Sequence, residues 1–233
     1  MNKDKLRFKT LSLSELIEEE SDFFPLLSQE DEDKIDKEKT PKTLPILPLR
    51  NTVLFPGVII PITIGRDRSI KLIKDTYKGN RTIGVLAQKD PNIETPEEKD
   101  LNSIGTVAHV LKMLRMPDGN ITAIIQGRKR FEIEDFVQTE PYFKANVNRL
   151  NEKRPEKNDK EFGALVDSVK DLALQIIEES PNIPSEATMA IKNIESPSFV
   201  INFVASNMNI TLTEKQGLLE EIDLKARASN ALG

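Results

Sequence analysis

The chain of 233 residues has no cysteine, no tryptophan and a single histidine, His109. Without cysteine there is no disulfide and no thiolate metal site, which suits a reducing compartment. With one histidine, any His-centred triad would have to use His109. That residue sits mid-strand in Val107-Ala-His-Val-Leu111 with no acid beside it, the setting of an ordinary strand residue. Glu132 and Glu134 share one strand face, but with 30% of residues charged such a pair reads as a solvated face. No apolar run approaches the ~18 residues of a membrane span. The opening Met-Asn-Lys-Asp-Lys-Leu-Arg carries charges with no apolar core behind them, so it is not a secretory signal. These absences describe a soluble, cytoplasmic protein. Aromatics are only 5% of the chain, so stacking platforms are few, and the net charge of -5 opposes a polyanionic partner.

Catalytic motifs are missing as well. The nearest approach to a phosphate-binding loop is Gly79-Asn-Arg-Thr-Ile-Gly84, but Val85 follows where lysine is required. There is no Gly-x-Gly-x-x-Gly, no His-Glu-x-x-His and no Gly-x-Ser-x-Gly. The sequence therefore offers no catalytic, cofactor-binding or metal-binding residue, and a stand-alone enzyme is a poor reading.

What is present falls into three parts. Residues 1–43 form an acidic arm in which Glu15, Glu18, Glu19, Glu20, Asp22, Glu30, Asp31, Glu32 and Asp33 occur with no base among them. Such repulsion with little apolar material does not offset ordering entropy, so disorder is expected there. The apolar island Phe23-Phe24-Pro25-Leu26-Leu27 reads as part of a solubilising tail or as a docking peptide. Residues 44–150 read as short strands over 58–64, 82–88, 104–114, 121–126, 131–137 and 143–150. One helix over 67–78 interrupts them, with Ile70, Ile73 and Tyr77 on one face. The Asp118-Gly119 turn predicts a hairpin between its flanking strands. This is the pattern of a small, partly closed β barrel.

After a linker over 151–160 the period becomes helical, giving an α+β chain. The spacing predicts a first helix with a capping box of Asn158 and Glu161, stopped by Ser180-Pro181. A short helix over 185–194 follows, then one opened by Ser196-Pro197. A last helix from Thr211 or Thr213, with Glu214 or Gln216 as the capping-box partner, meets no glycine stop until Gly233, which reads as a helix cut short in a piece of something longer.

Binding candidates come from apolar residues at turns. The run Leu44-Pro-Ile-Leu-Pro-Leu-Arg-Asn-Thr-Val-Leu-Phe-Pro-Gly57 carries two prolines, which predict an edge or rim strand. It leads to a turn that displays Leu54, Phe55 and Pro56. The hairpin end offers Met113, Leu114, Met116 and Pro117, and methionines adapt to varied partners. These seven residues are the candidate substrate-binding set.

The same residues carry a resemblance. The run 45–64, Ile104-Gly-Thr-Val-Ala108, Gly127-Arg-Lys-Arg130 with Pro141-Tyr142, and Gln216-Gly-Leu-Leu-Glu220 with Asp223 and Arg227 occur in order. Together they resemble the N-terminal domain of Lon-type ATP-dependent proteases over roughly residues 44–232. The resemblance implies a PUA-like β pseudobarrel followed by a helical bundle. It implies a substrate-recognition and assembly domain whose partners are unfolded or misfolded proteins and the ATPase and protease domains of a homohexameric full-length chain. ATP, magnesium and a Ser–Lys protease dyad would belong to those later domains. PUA-type similarity also raises an RNA-binding alternative served by Arg128, Lys129 and Arg130, which the acidic balance opposes. A ubiquitin-ligase adaptor is a further variant, but its companion module needs cysteine-bound zinc.

Overall fold

The computed structural model describes residues 34–35, 37–116, 120–156, 158–179, 191–192 and 194–233. The acidic stretch 15–33, its apolar island, the hairpin turn 117–119 and most of the helix expected over 185–194 lie outside these.

Six strands come first: β1 Thr43–Leu49, β2 Ile59–Ile64, β3 Thr82–Ala87, β4 Ile104–Arg115, β5 Ile121–Gln138 and β6 Lys144–Arg149. Helix α1, Asp67–Tyr77, lies between β2 and β3. The strand order is β2-β5-β4-β3-β1-β6, and β5 also pairs with β6. The sheet therefore returns on itself as a near-ring, with β2 attached outside to the first part of β5.

Two strands expected over 121–126 and 131–137 are one strand of 18 residues. Its first part pairs with β2 and its second with β6. Irregularities between Ile133 and Asp135 and between Phe136 and Gln138 mark the second part. A strand this long can serve two neighbours because bulges increase its bend and twist.

β1 is not an edge strand, contrary to its proline content. It lies between β3 and β6 but changes partner midway. Residues Thr43, Leu44 and Pro45 pair antiparallel with β6, and Ile46 to Leu49 pair parallel with β3. Each half is thus laddered chiefly on one flank, which leaves room for a residue without an N–H. The true edge is β2, whose ladder partner is β5 alone and which carries Pro61.

Inside the ring, Leu47, Ile83, Val85, Val110 and Ile125 pack with Leu72 and Ile73 of α1. Ile70 and Tyr77, expected on the same helix face, are partly buried against this cluster. Phe131, Ile46 and Leu86 anchor a second cluster.

Four described helices follow: α2 Lys160–Glu179, α3 Pro197–Asn207, α4 Leu212–Glu220 and α5 Leu224–Leu232. α3 is central, with Val200, Ile201 and Val204 fully buried. Its predicted cap is present: the Ser196 hydroxyl accepts from the Phe199 N–H at 3.1 Å, with Pro197 opening the helix. For α2 the cap is Asp159 rather than Asn158, since Asp159 Oδ1 accepts from Phe162 N–H at 3.0 Å. The expected box partner Glu161 instead meets Lys225 Nζ at 2.7 Å.

The single last helix is two. Thr211 and Glu214 form the expected capping box of α4. Asp223 then opens α5, accepting from the N–H groups of Lys225 at 3.0 Å and Ala226 at 3.1 Å. An internal aspartate can end one helix and begin another without glycine or proline.

The placed chain also begins before residue 44. Ile35 is 5% exposed and packs with Val169, Phe199 and Leu224 in the helical core.

Candidate functional site

The predicted tip Leu54-Phe55-Pro56 is closed. Leu54 is 2% exposed and Phe55 is 0% exposed. This corrects the expectation that both side chains stand in solvent. Phe55 packs among Val53, Val58, Ala87, Ala205, Leu218 and Leu219, so helices α3 and α4 cover it. The loop is held flat on β5: Gly57 N–H donates to Gly127 O at 2.9 Å, and Gly127 N–H donates to Val58 O at 2.9 Å. The Thr106 hydroxyl donates to Leu54 O at 2.6 Å. Gly57 has φ 83°, the left-handed region that favours glycine. Pro56 remains partly exposed, and its carbonyl accepts from Asn202 Nδ2 at 3.2 Å. The loop is therefore the joint between barrel and helices.

The hairpin end differs. The β3–β4 ladder ends at the Thr82–His109 pair, and Val110 N–H then donates to Arg81 O at 2.8 Å. Past this point β4 is laddered to β5 alone, and β2 follows on the far side of β5. Residues 112–115 thus belong to a three-stranded tongue rather than to the ring. Met113 sits opposite Ala123, which faces Ile62; Leu114 sits opposite Thr122, which faces Thr63. Because side chains alternate along a strand, Met113 and Leu114 point to opposite faces. Met113 is partly buried against the ring core, while Leu114 shares its row with the exposed Thr63. Leu114 and Met116 are both partly exposed. Met116 N–H donates to Asn120 O at 2.9 Å, and Pro117 lies outside the described residues.

Arg128, Lys129 and Arg130 lie side by side on β5, but they turn inward. Lys129 is 7% and Arg130 4% exposed. Arg130 Nη1 donates to the carbonyls of Leu219 at 2.9 Å and Glu221 at 2.7 Å, stitching β5 to the end of α4. Burial, then the nearby Arg227, lowers the Arg130 pKa to about 10. Arg227, 1% exposed, donates to Glu152 Oε2 at 3.0 Å and to Asn202 Oδ1 at 3.2 Å. Gln216 Nε2 donates to Ile104 O at 3.0 Å. The residues near the end of the helical part thus hold helices to barrel. Sequence reasoning missed Glu152 and Asn202, because one lies in a linker of mixed charge and the other in an apolar helix.

Pro141 follows a cis peptide bond, and the Tyr142 hydroxyl donates to Asp75 Oδ2 at 3.4 Å, tying the β5–β6 turn to α1. His109 is half-buried on β4. Burial first, then Arg128 and Arg81, lowers its pKa. Among the described residues no group of His, Cys, Asp and Glu could hold a metal ion. No described helix is long and apolar enough to cross a membrane.

Against known proteins, residues 43–233 match the family model for the ATP-dependent protease La (LON) substrate-binding domain. The Lon protease of Flavobacterium johnsoniae is 57% identical over 227 residues, which is 97% of this chain and 28% of that protein. The Lon protease of Cytophaga hutchinsonii is 50% identical over 208 residues, 89% of this chain and 26% of that protein. The chain therefore spans about a quarter of the length of the curated relatives it matches. Among solved structures, the N-terminal domain of a Mycobacterium avium complex Lon protease superposes with a TM-score of 0.64 at 22% identity. The match covers 82% of this chain and 96% of that one. A Lon N-terminal domain protein from Xanthomonas campestris gives 0.58 at 18% identity, over 82% and 98%. At such identities these two matches speak for the fold.

Proposed function

The chain belongs to the Lon substrate-binding domain family, and from that premise we propose that it recognises protein substrates for an ATP-dependent protease through the end of its β4–β5 hairpin. The observation that carries this reading is the tongue beyond Val110. There Leu114 and Met116 keep part of their surface in solvent although they are large and apolar. No described strand lies on the outer flank of β4 at this point. An extended segment of an unfolded protein can lie along such a flank by strand addition, with apolar side chains finding Met113 on one face and Leu114 on the other.

Each apolar side chain buried this way returns roughly 1.5–3 kcal/mol before ordering costs, so a single contact is weak. Weakness fits the task, since a motor must later pull the substrate away. In a homohexamer, neighbouring copies would raise the effective concentration and turn weak contacts into useful retention. ATP hydrolysis, its magnesium and peptide cleavage fall to the part of the full-length relatives that this chain does not span.

A photo-crosslinking amino acid at position 114 tests the reading. It is expected to capture a chemically unfolded model protein, whereas the same group at Glu98, away from the hairpin, captures little. Equal capture at both positions would remove the hairpin from the mechanism.

A further inference from the structure

At the start of α1 the barrel carries a cleft of about 410 Å³, walled by the end of β1, the first turn of α1 and the β5–β6 turn. Its base is apolar: Ile46 and Leu72 are fully buried there and Phe143 nearly so. Its polar wall is the open end of a helix. Arg66 precedes α1 with extended backbone and supplies no side-chain cap. Ile70 N–H donates to Arg66 O at 2.8 Å, so the N–H groups of Asp67, Arg68 and Ser69 have no carbonyl a turn earlier to meet. Such an end carries partial positive charge and favours an anion. Ser69 adds a donor of its own. It is 7% exposed and borders the cleft, and its hydroxyl meets no hydrogen-bond partner among the described residues. Buried hydroxyls are normally paired, so this one is placed for a group that enters the cleft.

Charge selects among anions. Arg50, exposed at the rim, forms no ion pair among the described residues. Arg66 Nη2 donates to Gln88 Oε1 at 2.7 Å and to Ile93 O at 3.3 Å. Burial first, then Arg50, lowers the Arg66 pKa against an opposing pull from Glu94, so the two guanidinium groups repel each other. Arg68 is paired with Glu140, and Arg50 and Arg66 share the cleft with Asp67 and Glu94. A phosphate dianion would meet those two carboxylates. A carboxylate brings one charge, which neutral N–H and hydroxyl donors can hold together with Arg50. We propose that this cleft binds the C-terminal carboxylate of a peptide whose last side chain is apolar. Ser69, the first N–H groups of α1 and Arg50 hold the carboxylate, and the side chain packs over Ile46, Leu72 and Phe143. The inference rests on the reading that the chain takes protein substrates, and it names a class of them: chains that end in a free apolar residue. The cleft also adjoins the hairpin, since a β-carbon built on Gly65 at its rim would lie 3.1 Å from Asn120 Oδ1.

Fluorescence anisotropy with two forms of one peptide tests it. Both are fluorescein-labelled Gly-Ser-Gly-Ser-Ala-Leu, one with a free C-terminus and one amidated. The full chain is expected to bind the free acid about tenfold more tightly than the amide. Arg50→Gln and Ser69→Ala should each weaken binding of the acid by about threefold or more and leave the amide unchanged. A melting curve checks that both variants fold, and Arg50 is exposed, so its variant should fold whatever the other does. The Leu114→Ser, Met116→Ser double variant should keep the preference for the acid. Loss of the preference in that variant would place the peptide on the hairpin and overturn the proposal. Equal binding of acid and amide, or binding of neither, would overturn it and leave the hairpin reading standing. A preference for the acid that survives both Arg50→Gln and Ser69→Ala would overturn it too. So would inorganic phosphate that binds in dependence on Arg50 and Ser69 while the peptide does not bind.

Discussion

A β-carbon built on Gly127 would lie 2.2 Å from the carbonyl oxygen of Phe55. No real side chain tolerates such a contact, so the bare backbone of β5 is what lets the 53–58 loop lie against it. The loop in turn presents Phe55 to α3 and α4, and the joint between barrel and helices rests on this approach. Gly127→Ala should lower stability by about 1–3 kcal/mol through overpacking. Phe55→Ala should cost about 3–5 kcal/mol by opening a cavity. Urea unfolding followed by circular dichroism measures both. A Phe55→Ala protein as stable as the original would mean that this side chain is not the wedge described here.

Glu152 and Arg227 make the second test. Glu152 is the shared acceptor for Arg227, Arg130 and Arg154, and Arg227 is almost completely buried. Removing one member of a buried pair leaves an uncompensated charge, typically a loss of about 3–5 kcal/mol. Glu152→Gln should fall in that range. Arg154→Gln, at the exposed rim, should cost less than about 1 kcal/mol. The Glu152→Gln and Arg227→Met changes together should cost less than the sum of the two alone, because each single change already breaks the contact. Strict additivity would show that the two residues do not act as a unit.

His109 gives a pH-dependent prediction. Its folded pKa lies below the ordinary 6.5, with burial as the leading cause. The unfolded chain therefore binds the proton more readily than the folded one, and stability must fall as pH drops through 6.5. The full penalty is reached only below the folded pKa. Unfolding midpoints in urea at pH 7.5 and 5.5 should differ less for His109→Gln than for the natural chain. An unchanged difference would assign the acid sensitivity to other groups.

Much of the architecture could be read from residue patterns, and the misreadings have physical causes. The strand-helix-strand order, the Ser196-Pro197 cap and the Thr211–Glu214 box are local signals, and the structure contains them. Pro45 and Pro48 spoke for an edge, but local chemistry does not reveal that a strand can change neighbours midway. Phe55 looked like a display residue because it sits between a strand and Pro-Gly. What covers it, Ala205 and Leu218, lies far downstream in sequence. Glu152 was hidden for the same reason, since its partners come from β5, α3 and α5. Met113 and Leu114 stand out in the sequence as apolar residues beside a turn, but their placement on opposite faces needs the register with Ala123 and Thr122. Local signals write the elements; long-range contacts decide which apolar residues remain outside.

The hairpin end is the center of the functional account, and one binding measurement addresses it directly. Leu114→Ser with Met116→Ser should weaken binding of a chemically unfolded model protein by about tenfold, roughly 1.4 kcal/mol. The melting temperature should move by no more than a few degrees, because both side chains are only partly buried. Unchanged affinity in a folded double variant would contradict the account and leave the tongue without a role in recognition.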